Sequence, residues 1–277
     1  MDHRAFVERS FGLEVRTFRE IGGWDCVTYD VNGEWIFQFP RLPGADEALR
    51  AQVRLLPELA PEVSAAVPVP AHVSDDPLCM GYRRIDGEPL DVERAQRGIL
   101  PERLGRFLFE LQLFPVEFAG MRLTTPAAWR ERCRRELATF HDRVTPMLEP
   151  AERDRARAMF GVFLEDDANF RFAPGLIHRD LGPAHVLMTP SGDLAGVIDW
   201  GDATTGDPAA DFWFVSEWPE LGERALAAFG GEPDPTFRDR ARFYRALGPW
   251  HEVTYGLDTG QPGFVESGLA GVRRRLT

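Results

Sequence analysis

The spacing of apolar residues changes period several times along the chain. Phe6, Val7 and Phe11 fall at helical spacing, which predicts a short leading helix over residues 2–11. From Leu13 the pattern alternates through Val15, Phe18, Val27, Tyr29 and Val31, and Asn32-Gly33 is the turn expected of a tight hairpin. Residues 34–39 continue as a strand that Pro40 ends. Residues 45–60 return to helical spacing, with Leu49, Gln52, Val53, Leu56 and Ala60 on one stripe. A proline-rich loop (residues 57–70) leads to short strands at 71–74 and 78–85 and a turn at 86–90. From Val92 onward the chain is predominantly helical. The spacing predicts helices over 100–114, 125–144, 149–164, 219–229, 235–248 and 250–256. The arginines of the middle helices (Arg130, Arg132, Arg134, Arg135, Arg153, Arg155, Arg157) interleave with Glu and Asp, as expected of solvated helix faces.

One stretch, residues 176–211, breaks the helical pattern. A short apolar strand ends in His178-Arg179-Asp180, and Gly182-Pro183 turns the chain. Strands at 185–188 and 194–198, separated by Pro190-Ser191-Gly192-Asp193, form a hairpin that delivers Asp199 at its end. The hairpin brings Asp180, His185 and Asp199 together at strand ends and loops. Two carboxylates and an imidazole so placed suit metal-assisted transfer to a hydroxyl: one carboxylate takes the proton while the other groups hold Mg²⁺ against phosphate oxygens. Further on, Asp207 and Pro208 carry the N-cap and N1 signature of a helix start, with Asp211 one turn beyond.

Length and composition narrow the class. A chain of 277 residues can bury one large core or two modest lobes, and 44% hydrophobic residues is ordinary for a globular protein. No apolar run approaches the roughly 20 residues of a membrane span, and no signal-peptide layout opens the chain. Cys26, Cys79 and Cys133 lack metal-ligand spacing. Free thiols in a reducing cytoplasm are therefore expected. The net charge of −12 argues against a nucleic-acid partner and suits a cationic small molecule steered to an acidic cleft. All 32 basic residues are arginine.

His178-Arg179-Asp180 resembles the catalytic loop of protein kinases. The run VIDWGDATTGDPAADF is more similar to the aminoglycoside phosphotransferases, a kinase-like group acting on small molecules. His185, where protein kinases carry Asn, resembles the 2''-aminoglycoside and macrolide kinases of that family. The resemblance implies an α+β, two-lobed protein-kinase-like fold. Its small antiparallel-sheet N-lobe with hinge would take residues 1–85, and its mainly helical C-lobe residues 86–277. It implies ATP or GTP with Mg²⁺ as cofactors, Asp180 as the catalytic base, and His185 and Asp199 as metal ligands. Gly22-Gly23 would form the phosphate loop, and the backbone of Tyr82, Arg83 and Ile85 would meet the purine, with Tyr82 at the back of its pocket. The GDP-x-x-D segment with Asp207 and Asp211 would brace the catalytic loop.

The chain departs from the family at one pair. Gln38 stands where a phosphate-binding Lys or Arg is expected, and Gln52 where its glutamate partner is expected. A Gln–Gln hydrogen bond in place of the ion pair is the expectation that follows, with Arg41 as a substitute cation or the metal carrying the load. The implied activity is transfer of a γ-phosphoryl group to a hydroxyl of an aminoglycoside- or macrolide-type antibiotic. A kinase of an amino sugar or amino alcohol, or a non-catalytic binding module, fits the same motifs. Glu217, Glu220, Asp234, Glu252 and Asp258 are candidate contacts for a cationic substrate.

Overall fold

The computed structural model describes residues 2–230 and 234–276. Helix α1 (His3–Phe11) starts at Asp2, whose side chain accepts from the Ala5 amide. Five strands follow around one helix: β1 (Phe18–Gly22), β2 (Cys26–Val31), β3 (Trp35–Pro40), α2 (Ala45–Leu59), β4 (Pro70–Asp75) and β5 (Leu78–Arg83). They form an antiparallel sheet in the order β1-β2-β3-β5-β4. The β2–β3 turn is built as Asn32-Gly33 predicts: both residues have positive φ, and the Asn32 carboxamide accepts from the Arg16 and Thr17 amides.

The apolar stripe of α2 (Leu49, Leu55, Leu56, Leu59) packs on Ile36, Met80 and Tyr82 of the sheet. The same core continues into the helical half through Leu104, Phe107, Leu108, Val197 and Trp200, so the two halves share one hydrophobic interior.

The helical half opens with β6 (Glu88–Pro89), α3 (Val92–Arg97), α4 (Leu100–Leu113), α5 (Pro126–Arg143) and α6 (Pro150–Glu165). Next come β7 (Gly175–Ile177), β8 (Val186–Met188), β9 (Leu194–Val197) and β10 (Thr204–Gly206), then α7 (Phe214–Glu217), α8 (Pro219–Ala228), α9 (Phe237–Thr259) and α10 (Pro262–Arg275). This is the two-lobed α+β arrangement expected from the sequence. Three details differ. The strand leading into His178 pairs with β10, while the hairpin β8–β9 pairs with β6. The two helices expected over 235–256 are one helix, α9, that runs through Pro249. Helix α10, which the spacing did not single out, packs on it: Gly268 and Gly271 lie so close that an added Cβ would meet Pro249 at 2.9 Å and 2.8 Å. Close tertiary packing thus keeps α9 continuous where a proline alone would end it.

Candidate active site

The site forms where the ends of β7, β8 and β9 meet beneath the β1–β2 loop. Backbone hydrogen bonding sets the catalytic loop before any side-chain chemistry is considered. Asp211 is buried, and its two carboxylate oxygens accept from the His178 and Arg179 amides, each at 2.7 Å. Burial pushes its carboxyl up to about 7 against the pull of those two donors. Arg179 sits at φ 69, a left-handed conformation that a long side chain adopts only when its surroundings impose it.

His178 is fully buried and bridges the loop to the strand opposite. The Ile198 carbonyl can only accept, so Nε2 carries the proton at 2.9 Å, and Nδ1 accepts from the Asp180 amide at 3.3 Å. Burial lowers its pKa to about 3, consistent with this neutral tautomer.

The three residues expected to converge do so. Asp180, His185 and Asp199 each place one ligand atom within 4.8 Å of the others. His185 Nδ1 donates to the Asp180 carbonyl at 2.6 Å, and Nε2 lies 3.5 Å from Asp199 Oδ2. Asp199 itself is held at φ 66. These donors fit a divalent cation, although an imidazole is a less favoured Mg²⁺ ligand than oxygen. Asp180 faces the open cleft, with 58% of its side chain exposed, but protein crowds its other side. That desolvation, reinforced by Asp202 and Asp199 against His185 and Arg179, raises its carboxyl to about 6.

The roof of the site has different contents. Gly22 and Gly23 have φ of 102° and 125°, and a Cβ on Gly23 would collide with the Cys26 carbonyl, so the loop requires glycine there. Gln38 on β3 lies between Thr28 and Met80 in register. Its Oε1 is buried without a partner, and no hydrogen bond joins it to Gln52, so the expected Gln–Gln bond is not formed. Gln52 is buried and its carboxamide instead lies beside Gly201, next to Asp199. Arg41, the expected substitute cation, donates to the carbonyls of Gly23 and Trp24 at 2.5 and 2.7 Å and so braces the loop.

Tyr82 is buried on β5, and burial, then Asp199 and Cys26, raises its hydroxyl's pKa. The Arg83 guanidinium lies over the Trp35 ring at 4.1 Å. Ile85 packs against Gly196 of the hairpin.

Sequence reasoning missed several residues. Asp25 lies close enough to Asp202 and Asp199 for both to raise its pKa, after burial. With Asp180 these four carboxylates make the cleft strongly acidic. Glu136 and Arg132, read as members of a solvated helix face, turn inward: Glu136 accepts from Arg179 at 2.7 Å, and Arg132 donates to Thr204 at 3.2 Å. Trp24, in the glycine loop, stacks on Tyr255 of α9 at 3.9 Å between ring centres and meets Phe264 edge-on, so the loop touches the helical lobe. Several acidic residues suggested as substrate contacts have partners of their own. Arg245 pairs with Glu217, Arg240 with Asp234 and Arg143 with Asp258, while Ser267 donates to Glu252. Asp207 caps the turn at Pro208–Phe212 and is held by Arg240 at 2.6 Å, both out of solvent, and by the Tyr244 hydroxyl at 2.9 Å.

The fold and this site together define a kinase-type phosphotransferase. Residues 17–244 match the phosphotransferase enzyme family, and the chain belongs to that family. Viomycin phosphotransferase of Streptomyces vinaceus is 28% identical over 247 residues, covering 84% of this chain and 82% of that protein. The GDP and kanamycin complex of APH(2")-IIIa superposes with a TM-score of 0.87 at 25% identity, over 99% of this chain and 97% of that one. The apoenzyme of macrolide 2'-phosphotransferase MphH from Brachybacterium faecium superposes with a TM-score of 0.76 at 27% identity, over 98% of each chain. Among the described residues no helix is long and apolar enough to cross a membrane.

Proposed function

We propose that this phosphotransferase moves the γ-phosphoryl group of ATP or GTP to a hydroxyl of a cationic, hydroxylated antibiotic of the aminoglycoside or macrolide type. The observation that carries the reading is the convergence of Asp180, His185 and Asp199 within 4.8 Å under a glycine loop. The acceptor hydroxyl oxygen bonds to the γ-phosphorus, the bond to the β–γ bridging oxygen breaks, and the Asp180 carboxylate takes the hydroxyl proton. A carboxyl near pKa 6 is ionised at neutral pH yet more basic than an ordinary aspartate, which suits that role. Asp199 and His185 would hold Mg²⁺, which supplies counter-charge to the phosphates. Residues 1–85 would contribute the nucleotide's side of the cleft and residues 86–277 the acceptor's side. The acidic lining of Asp25, Asp180, Asp199 and Asp202 supports a cationic acceptor.

A second reading, nucleotide or ligand binding without turnover, is favoured by the uncharged roof at Gln38. The two separate in one experiment: nucleotide turnover with Mg²⁺ across kanamycin, viomycin and macrolides, using ATP and GTP, with Asp180→Asn as control. Acceptor-stimulated turnover lost in the variant supports the enzyme. Nucleotide binding with no turnover across the panel would contradict antibiotic transfer.

A further inference from the structure

Arg179 carries the catalytic loop through its left-handed turn immediately before Asp180. Its backbone amide is secured by Asp211. Its guanidinium is a separate matter, because it sits close enough to Asp180 to affect that carboxyl. Three groups decide where it points. Nη2 donates to Glu136 Oε1 at 2.7 Å, Nη1 lies 3.9 Å from Asp202, and His251 Nε2 approaches the same Glu136 oxygen at 3.4 Å. Glu136 and Arg179 are both largely withdrawn from solvent, at 20% and 23% side-chain exposure, so their pair is less screened than a surface pair. Glu136 comes from α5, far from the motif in sequence, and touches no member of the convergent trio.

We infer that Glu136 is a positioning residue for phosphoryl transfer: it anchors the Arg179 guanidinium and so fixes the left-handed turn on which Asp180 is carried. Without it, a half-buried guanidinium keeps only Asp202, 3.9 Å from Nη1. Drawn toward Asp202, the arginine turns and shifts the Asp180 carboxylate that follows it in the chain. The harm then comes from the stranded cation more than from the lost bond, which gives a specific pattern of coupling. The inference rests on Asp180 being the base.

The test compares Glu136→Gln, Arg179→Gln and the double variant. Each is assayed for hydrolysis of Mg·ATP and Mg·GTP without acceptor, where water replaces the hydroxyl and no acceptor need be known, and for thermal unfolding. Glu136→Gln should lower the saturated rate about 10-fold or more with the nucleotide KM within about twofold of the original. Arg179→Gln should do less damage, and the double variant should match Arg179→Gln, so that removing the arginine rescues the loss of the glutamate. Melting should follow the same order, with Glu136→Gln down by roughly 3 °C or more and the double variant higher than it.

A rate for Glu136→Gln within twofold of the original, or a double variant worse than Glu136→Gln, overturns the inference. Hydrolysis that survives Asp180→Asn would instead overturn the assignment of Asp180 and leave the two failures distinct. Should the protein hydrolyse neither nucleotide, a double variant that melts below Glu136→Gln is the overturning result.

Discussion

The floor and roof of the cleft are built to different standards. On the floor, the amides of His178, Arg179 and Asp180 all have partners, His178 is fixed in one tautomer, and two residues are held at positive φ beside the reacting carboxylates. On the roof, Gln38 presents a buried, unpartnered carboxamide oxygen at the position where the family resemblance implies a phosphate-binding cation. Strain and polar burial persist only where surrounding contacts over-determine them, and the floor has those contacts. The difference teaches that positioning of the base and affinity for the nucleotide are separable here. On the proposed reading, the groups for transfer are in place while the electrostatic grip on phosphate would be weakened.

The largest expected effect lies on the floor. Asp180→Asn should reduce kcat by about 10³-fold with little loss of stability, since the side chain faces solvent; steady-state rates and melting curves check both. The same carboxyl sets a pH limb. Below about pH 6 it is protonated and cannot accept, so kcat/KM should rise with pH through that region, moving lower as free Mg²⁺ increases. The other floor prediction concerns Asp211. Asp211→Ala strands two buried amide donors and should destabilise the fold by about 3 kcal/mol, read by denaturant or calorimetric unfolding. An unchanged midpoint would show that the loop is held some other way.

On the roof, Gln38→Lys with Gln52→Glu restores an ion pair beside the phosphates. Two charges about 4 Å apart at an effective dielectric of 20 interact by roughly 4 kcal/mol, of which desolvation consumes a large share. Nucleotide affinity should therefore tighten about tenfold by titration calorimetry. No change would mean that these side chains do not face the phosphates. The smallest effect is expected at the contact between loop and helices. Trp24→Ala removes stacking worth about 1 kcal/mol and should raise the nucleotide KM several-fold while leaving the acceptor KM nearly unchanged.

The floor was legible in the sequence because its parts are local. His178-Arg179-Asp180, the hairpin and Asp199 lie within a short stretch, and turn residues fix their geometry. Asp211's bracing role came from the family resemblance alone. What could not be read depends on distant pairing. The partner strand of β7 is three residues long and has no periodicity of its own. Arg240, which holds Asp207 from inside the protein, looks like any arginine of an amphipathic helix. Glu136 and Arg132 belong to a face whose alternating charges resemble a solvated surface, yet the lobe's packing turns them toward the catalytic loop. The glutamine substitutions were visible, but their consequence was not: only the three-dimensional arrangement shows Gln38 unpaired, Gln52 beside Gly201 and Arg41 committed to the loop carbonyls.

The most direct test of this division is a nucleotide titration of turnover at saturating acceptor or, failing an acceptor, with water. The account predicts a weak nucleotide KM that falls in the Gln38→Lys/Gln52→Glu variant while kcat holds, with turnover reduced about 10³-fold by Asp180→Asn. Nucleotide that binds tightly and is never turned over, at any concentration, would contradict it.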